Sequence, residues 1–124
     1  MSNELRGKAQ TVLGLIDPLT LGMTTTHEHV LIDFVCMYVP PTDATLKYRG
    51  EEQVALHNVG WIRYDPFRNR DNLELMDEDT AIEEIALFGR VGGGTIVDAT
   101  TFGIGRDPMA LARIARATGV NIVM

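Results

Sequence analysis

The chain has 124 residues, 45% of them hydrophobic and 23% charged, with a formal net charge of −6. That balance is the one found in ordinary globular proteins and excludes a disordered or collagen-like chain. The acidic surplus lacks the basic face of a nucleic-acid binder, and no apolar run reaches the roughly 18 residues of a membrane span. Neither nucleic acid nor membrane is therefore an expected partner.

No apolar stretch follows the opening residues, so no signal peptide is expected. Cys36 stands alone, which rules out an internal disulfide and makes a reducing, cytoplasmic compartment the expectation. Ser2 is the only serine and sits at a terminus expected to fray, so a serine nucleophile within this chain is excluded. Residues 10–16 predict a strand. Asp17, Pro18 and Gly22 supply turn chemistry, because Pro fixes φ and Gly accepts a positive one. Residues 24–32 predict a second strand, forming a hairpin with the first. Residues 33–76 are long and irregular and carry Pro40, Pro41, Gly50, Gly60 and Pro66, with a short helix expected over 51–58. A loop of this length is functional, disordered or a wrong assignment.

Residues 77–91 predict a helix. Thr80 and Glu83 fit a capping box, and Asp77, Glu78 and Asp79 suit its positive end. Ile82, Ile85 and Ala86 share a face, and Gly92, Gly93 and Gly94 end it. Residues 95–99 predict a short strand buried on both faces, as in a parallel sheet. Asp107 and Pro108 are N-cap and first-turn chemistry for a helix through Leu111, Ile114, Ala115 and Thr118, closed by Gly119. Residues 120–124 begin another strand. From residue 24 onward the order is βαβαβ, which predicts a parallel α/β sheet. The last strand would present an open apolar edge, an aggregation hazard, so residues 1–124 are expected to form the front portion of a larger domain.

His27-Glu28-His29 is the strongest chemical feature. On a strand, residues i and i+2 point to one face, so both imidazoles project together. The pair then suits two ligands of one ion, with Zn–N distances of about 2.0–2.1 Å. Two ligands do not make a site, since zinc takes at least three protein donors; the other reading is two histidines on a polar strand face. A helical H-E-x-x-H site does not fit the order His-Glu-His-Val. Gly103-Ile-Gly105-Arg-Asp-Pro108 lies between strand and helix as a dinucleotide fingerprint would, but Pro108 replaces the third glycine, and a capped βα loop is preferred. Asp98 sits inside an apolar strand and needs partners. It could orient a metal ligand through a hydrogen bond or cap nearby backbone groups. Arg106 and Asp107 are expected to pair, His57 to be solvated, and Cys36 to be a small buried hydrophobe. The aromatic and arginine side chains of the long loop, Trp61 and Arg63 among them, could line a substrate pocket, pack the loop or form an oligomer interface, with a homodimer left open.

Leu21-Gly-Met-Thr-Thr-Thr-His-Glu-His-Val, Thr95-Ile-Val-Asp-Ala-Thr-Thr-Phe-Gly-Ile-Gly-Arg-Asp-Pro and Ile114-Ala-Arg-Ala-Thr-Gly-Val-Asn-Ile-Val together resemble the phosphotriesterase family, in its phosphotriesterase-related branch within the amidohydrolase superfamily. The resemblance implies a (β/α)8 TIM barrel preceded by a β-hairpin, with its active site at the C-terminal ends of the strands. This chain would supply the hairpin, strands one and two, and the start of strand three. The resemblance also implies a hydrolase with a small-molecule substrate. A hydroxide shared by two divalent metal ions, zinc being the expected metal, would attack a lactone, carboxyl ester, amide or phosphotriester. By the same resemblance His27 and His29 are ligands of one ion. The remaining family ligands, a carboxylated lysine, two histidines and an aspartate, belong to later strands. Lys8 and Lys47 are the only lysines here and neither lies on a matching strand. No catalytic base is therefore assigned, and this chain alone is expected to be inactive. The loop after strand one would fall on the active-site face, making Trp61 and Arg63 candidates for substrate contact; Phe102, in the loop after the next strand, is a third. The alternatives are a non-catalytic small-molecule-binding protein on the same barrel, and a small α/β interaction module in case the 124 residues are the whole protein.

Overall fold

A computed structural model describes residues 5–124; Ser2 lies outside them. In chain order the strands and α-helices are β1 (Ala9–Thr11), β2 (Gly14–Ile16), β3 (Met23–Glu28), β4 (Ile32–Asp33), α1 (Val59–Tyr64), β5 (Glu74–Leu75), α2 (Glu78–Arg90), β6 (Gly93–Asp98), α3 (Pro108–Thr118) and β7 (Asn121–Val123). Among the described residues no helix is long and apolar enough to cross a membrane.

β1 and β2 pair with each other as a tight antiparallel hairpin. Residues 10–16 are therefore not one strand, and the hairpin does not include residues 24–32. The turn closes because Gly14 accepts φ +123°, and because the Thr11 hydroxyl donates to the Gly14 carbonyl at 2.9 Å and accepts the Leu13 N–H at 3.1 Å. A bond from the Val12 N–H to the Ile122 carbonyl, 2.9 Å, ties the hairpin to β7.

The main sheet is parallel, in the order β3-β6-β7, with α2 and α3 as its crossovers. This is the expected βαβαβ unit, in a mixed α/β fold. Central β6 buries Thr95, Ile96 and Asp98, which explains its nearly continuous apolar sequence. Leu111, Ile114 and Ala115 recur at helical spacing on α3 and pack with Ile85 of α2, Ile96 and Ile122. The start of β3 approaches β6 so closely that a Cβ at Gly94 would run into the Leu21 carbonyl. The fully buried Thr95 hydroxyl donates to that same carbonyl at 2.6 Å.

The helix ends follow their caps. Asp77, in extended conformation, accepts the Thr80 N–H at 2.7 Å, so Thr80 lies inside the first turn and is not the cap of a box with Glu83. Asp107 accepts the N–H groups of Met109 and Ala110 at 3.0 and 2.9 Å, and Gly119 closes α3 at φ +72°. With the Asp107 carboxylate engaged by the helix, the expected Arg106–Asp107 pair does not form. Arg106 Nε donates instead to the Thr100 carbonyl at 2.6 Å.

Residues 33–76 are built from 3-10 turns at Val35–Met37, Lys47–Gly50, Pro66–Arg68 and Asp71–Leu73, together with α1 and the short antiparallel β4–β5 pair. The helix expected over 51–58 is absent. Asn58, 2% exposed, accepts the Ala55 N–H and donates to the Gln53 carbonyl, both at 2.8 Å. These local bonds hold the segment in turns, and the helix begins only at Val59. Cys36 is exposed, because its surface turn buries none of its residues. His57 is exposed as expected, 3.8 Å from Glu52.

Asn69 is fully buried and organises this region. Its amide donates to the carbonyls of Arg49 and Glu52, each at 2.8 Å, and accepts the Asn72 N–H at 2.9 Å. Asn69→Ala leaves three backbone groups without this partner and is expected to cost about 2–3 kcal/mol. Urea denaturation measures it; a change under about 0.5 kcal/mol, the level of an ordinary surface substitution, would refute the role.

Candidate metal centre

The C-terminal end of β3 carries the candidate ligands. Thr25 stands opposite Ile96 and Glu28 opposite Asp98, with a register shift between. Thr26 and His27 thus face only Val97 on the partner strand. This is a bulge, a device that re-aims side chains at strand ends. The ladder resumes with the Ala99 N–H bonded to the Glu28 carbonyl at 2.8 Å. β3 then ends, and His29 follows it rather than lying within a strand reaching residue 32.

The two imidazoles nevertheless meet. Their ring centroids are 5.5 Å apart with planes at 75°; His27 is exposed and His29 half-buried. Two imidazole nitrogens bound tetrahedrally to one ion at about 2.0–2.1 Å place their ring centroids about 5 Å apart. The observed spacing therefore fits two ligands of one zinc-type cation. Among the described residues no group of three or more His, Cys, Asp or Glu side chains is arranged to hold a metal. The described residues thus offer two candidate donors, fewer than the three or more that a zinc site takes from protein.

Hydrogen bonds brace the segment behind the pair. Asp98, 2% exposed, accepts the Val30 N–H at 2.8 Å and the Thr100 N–H at 2.9 Å. Its carboxylate caps backbone groups and ties the residue after His29 to the end of β6. Thr100, 1% exposed, places its hydroxyl 3.0 Å from His29 Nδ1 and 3.3 Å from the Leu31 carbonyl. The sequence reading does not single out Thr100. The available signal is its position two residues after Asp98, the spacing at which an aspartate side chain commonly accepts a backbone N–H, as it does here.

Beside His29 a cleft opens between β3 and α2, lined by Glu28, Met76, Ala81, Ile85 and Phe88. The Thr25 hydroxyl is buried there with no hydrogen-bond partner among the described residues. Trp61, Arg63 and Phe102 do not line this cleft. Trp61 lies in α1 with the Arg49 guanidinium 5.7 Å from its ring. Arg63, on the same helix, is exposed. Phe102 is 82% exposed in the loop after β6, with the Arg106 guanidinium 5.6 Å from its ring.

Comparison with known proteins adds to this geometry. An N-acetyltaurine hydrolase from Xenopus tropicalis is 45% identical over 124 residues, a match covering 98% of this chain and 35% of that protein. The crystal structure of a resiniferatoxin-binding protein from Rhodobacter sphaeroides superposes with a TM-score of 0.93 at 43% identity, covering 95% of this chain and 33% of that one. A lactonase from Listeria monocytogenes superposes at 0.60 with 29% identity, covering 94% and 27%. The chain thus spans about a third of the length of these relatives. The phosphotriesterase family model matches residues 7–124, both crossovers and the histidine pair included, so the chain belongs to the phosphotriesterase family.

Proposed function

We propose that this chain is the N-terminal, metal-binding portion of a (β/α)8 hydrolase acting on a small N-acyl amide. The observation that carries the reading is the His27–His29 pair, in ring contact at the C-terminal end of the first strand of a parallel sheet. Barrel enzymes place their chemistry at that end. In this reading the two imidazoles supply neutral nitrogen donors to one of two divalent ions, zinc being the expected metal. A metal held there would supply Lewis-acid chemistry and a water of lowered pKa. The chain's own part is to hold the donors still: Asp98 fixes the backbone beside His29, and Thr100 meets its ring. Among ester-like bonds the amide is favoured, because the N-acetyltaurine hydrolase is 45% identical and the lactonase only 29%.

The test uses the full-length protein, stripped by chelation and reloaded with zinc, on N-acetyltaurine, a lactone, a carboxyl ester and a phosphotriester. The expected result is metal-dependent amide hydrolysis, with kcat/KM at least roughly tenfold above that for the lactone. A second reading, binding without turnover, is supported by the 43% identity to the resiniferatoxin-binding protein. It gains if the zinc-loaded protein hydrolyses none of the four.

A further inference from the structure

We propose that Thr100 is a positioning residue that holds His29 as its Nδ1-protonated tautomer, leaving the Nε2 lone pair free for a divalent cation. The inference rests on the reading of His29 as a metal ligand. The argument is one of proton count. The Leu31 carbonyl, 3.3 Å from Thr100 Oγ1, can only accept. Thr100 has one hydroxyl proton, and directing it to Leu31 leaves oxygen lone pairs facing His29 Nδ1 at 3.0 Å, so that the imidazole is the donor at Nδ1. A hydroxyl turned to Nδ1 instead would go with a ring protonated at Nε2, and the spectrum described below separates the two. In a neutral ring with Nδ1 protonated, Nε2 is the nitrogen able to ligate.

Thr100 is itself held from every side. It is 1% exposed, its N–H is bound to Asp98, and its carbonyl accepts Arg106 Nε. Asp98 also binds the Val30 N–H, immediately after His29. The end of β6 therefore fixes both the backbone beside His29 and the ring nitrogen that does not ligate. Outer partners of this kind set ring orientation and tautomer at metal sites.

The test is a long-range proton–nitrogen correlation spectrum of the full-length apo protein with isotope-labelled histidine, at about pH 8, above the ordinary histidine range. His29 is expected in the Nδ1-protonated form. Thr100→Val is expected to abolish that preference and weaken zinc binding by roughly 10–100-fold, while Thr100→Ser restores both. A wild-type His29 protonated at Nε2 overturns the proposal, as does a folded Thr100→Val protein with unchanged zinc affinity. The wild-type spectrum needs no variant, so the proposal stays open to refutation even if Thr100→Val does not fold. Full zinc stoichiometry in His29→Ala would overturn the ligand reading itself, an outcome separate from the tautomer observed in the apo spectrum.

Discussion

Replacing His27 and His29 together with alanine is expected to strip the full-length protein of metal at this position and to lower hydrolysis about a thousandfold or more. The scale follows from what an ion contributes to a developing charge: several kcal/mol, or about three powers of ten in rate. The loss should not come from unfolding. His27 is exposed, and removal of such a side chain normally changes stability by less than about 0.5 kcal/mol. His29 is half-buried and gives up its contact with Thr100, a cost of about 1 kcal/mol. Metal content by elemental analysis, read beside the circular dichroism spectrum, separates the two effects. A folded double variant that keeps its full metal stoichiometry would end the assignment.

Asp98→Ala should be the most destabilising change at this end of the sheet, by about 2–4 kcal/mol. The carboxylate serves two backbone donors at once, Val30 N–H through Oδ2 and Thr100 N–H through Oδ1, in a site 2% exposed. Alanine leaves both donors without that partner, and each buried orphan costs about 1–3 kcal/mol. Asp98→Asn should fall between wild type and alanine. Its single amide oxygen can serve one donor, while its NH2 group confronts the other. The measurement is urea denaturation of the full-length apo protein, so that metal binding adds nothing to the folded state. Equal midpoints for alanine and wild type would show that the two bonds are dispensable.

The parts of the fold readable from sequence are those governed by local rules. α3 begins at Pro108 because Asp107 caps it, and ends where Gly119 takes a positive φ. Its apolar positions Leu111, Ile114 and Ala115 are spaced for one face and are buried together. The parallel sheet follows from an apolar strand between two such helices. The misreadings are equally physical. The hairpin closes within residues 9–16 because Gly14 and the Thr11 hydroxyl make a two-residue turn, which an alternating apolar pattern conceals. In the long segment, Asn58 and Asn69, which the sequence reading does not single out, are buried and bonded to backbone. An asparagine reads the same in sequence whether water or a distant carbonyl satisfies its amide.

At the candidate site the division is sharper. The sequence by itself determined that two histidines stand one residue apart in a segment that begins as a strand, and that an aspartate interrupts the apolar run of another. Only the tertiary structure decided what they do. It placed a bulge at Thr26 and His27 by setting the register of β3 against β6. It also brought the Thr100 hydroxyl to His29 across 71 residues of chain and the Asp98 carboxylate to Val30 across 68. Spacing along one strand is a short-range property written into the backbone repeat. A hydrogen bond between two strands depends on the packing of everything between them, and no local pattern carries it.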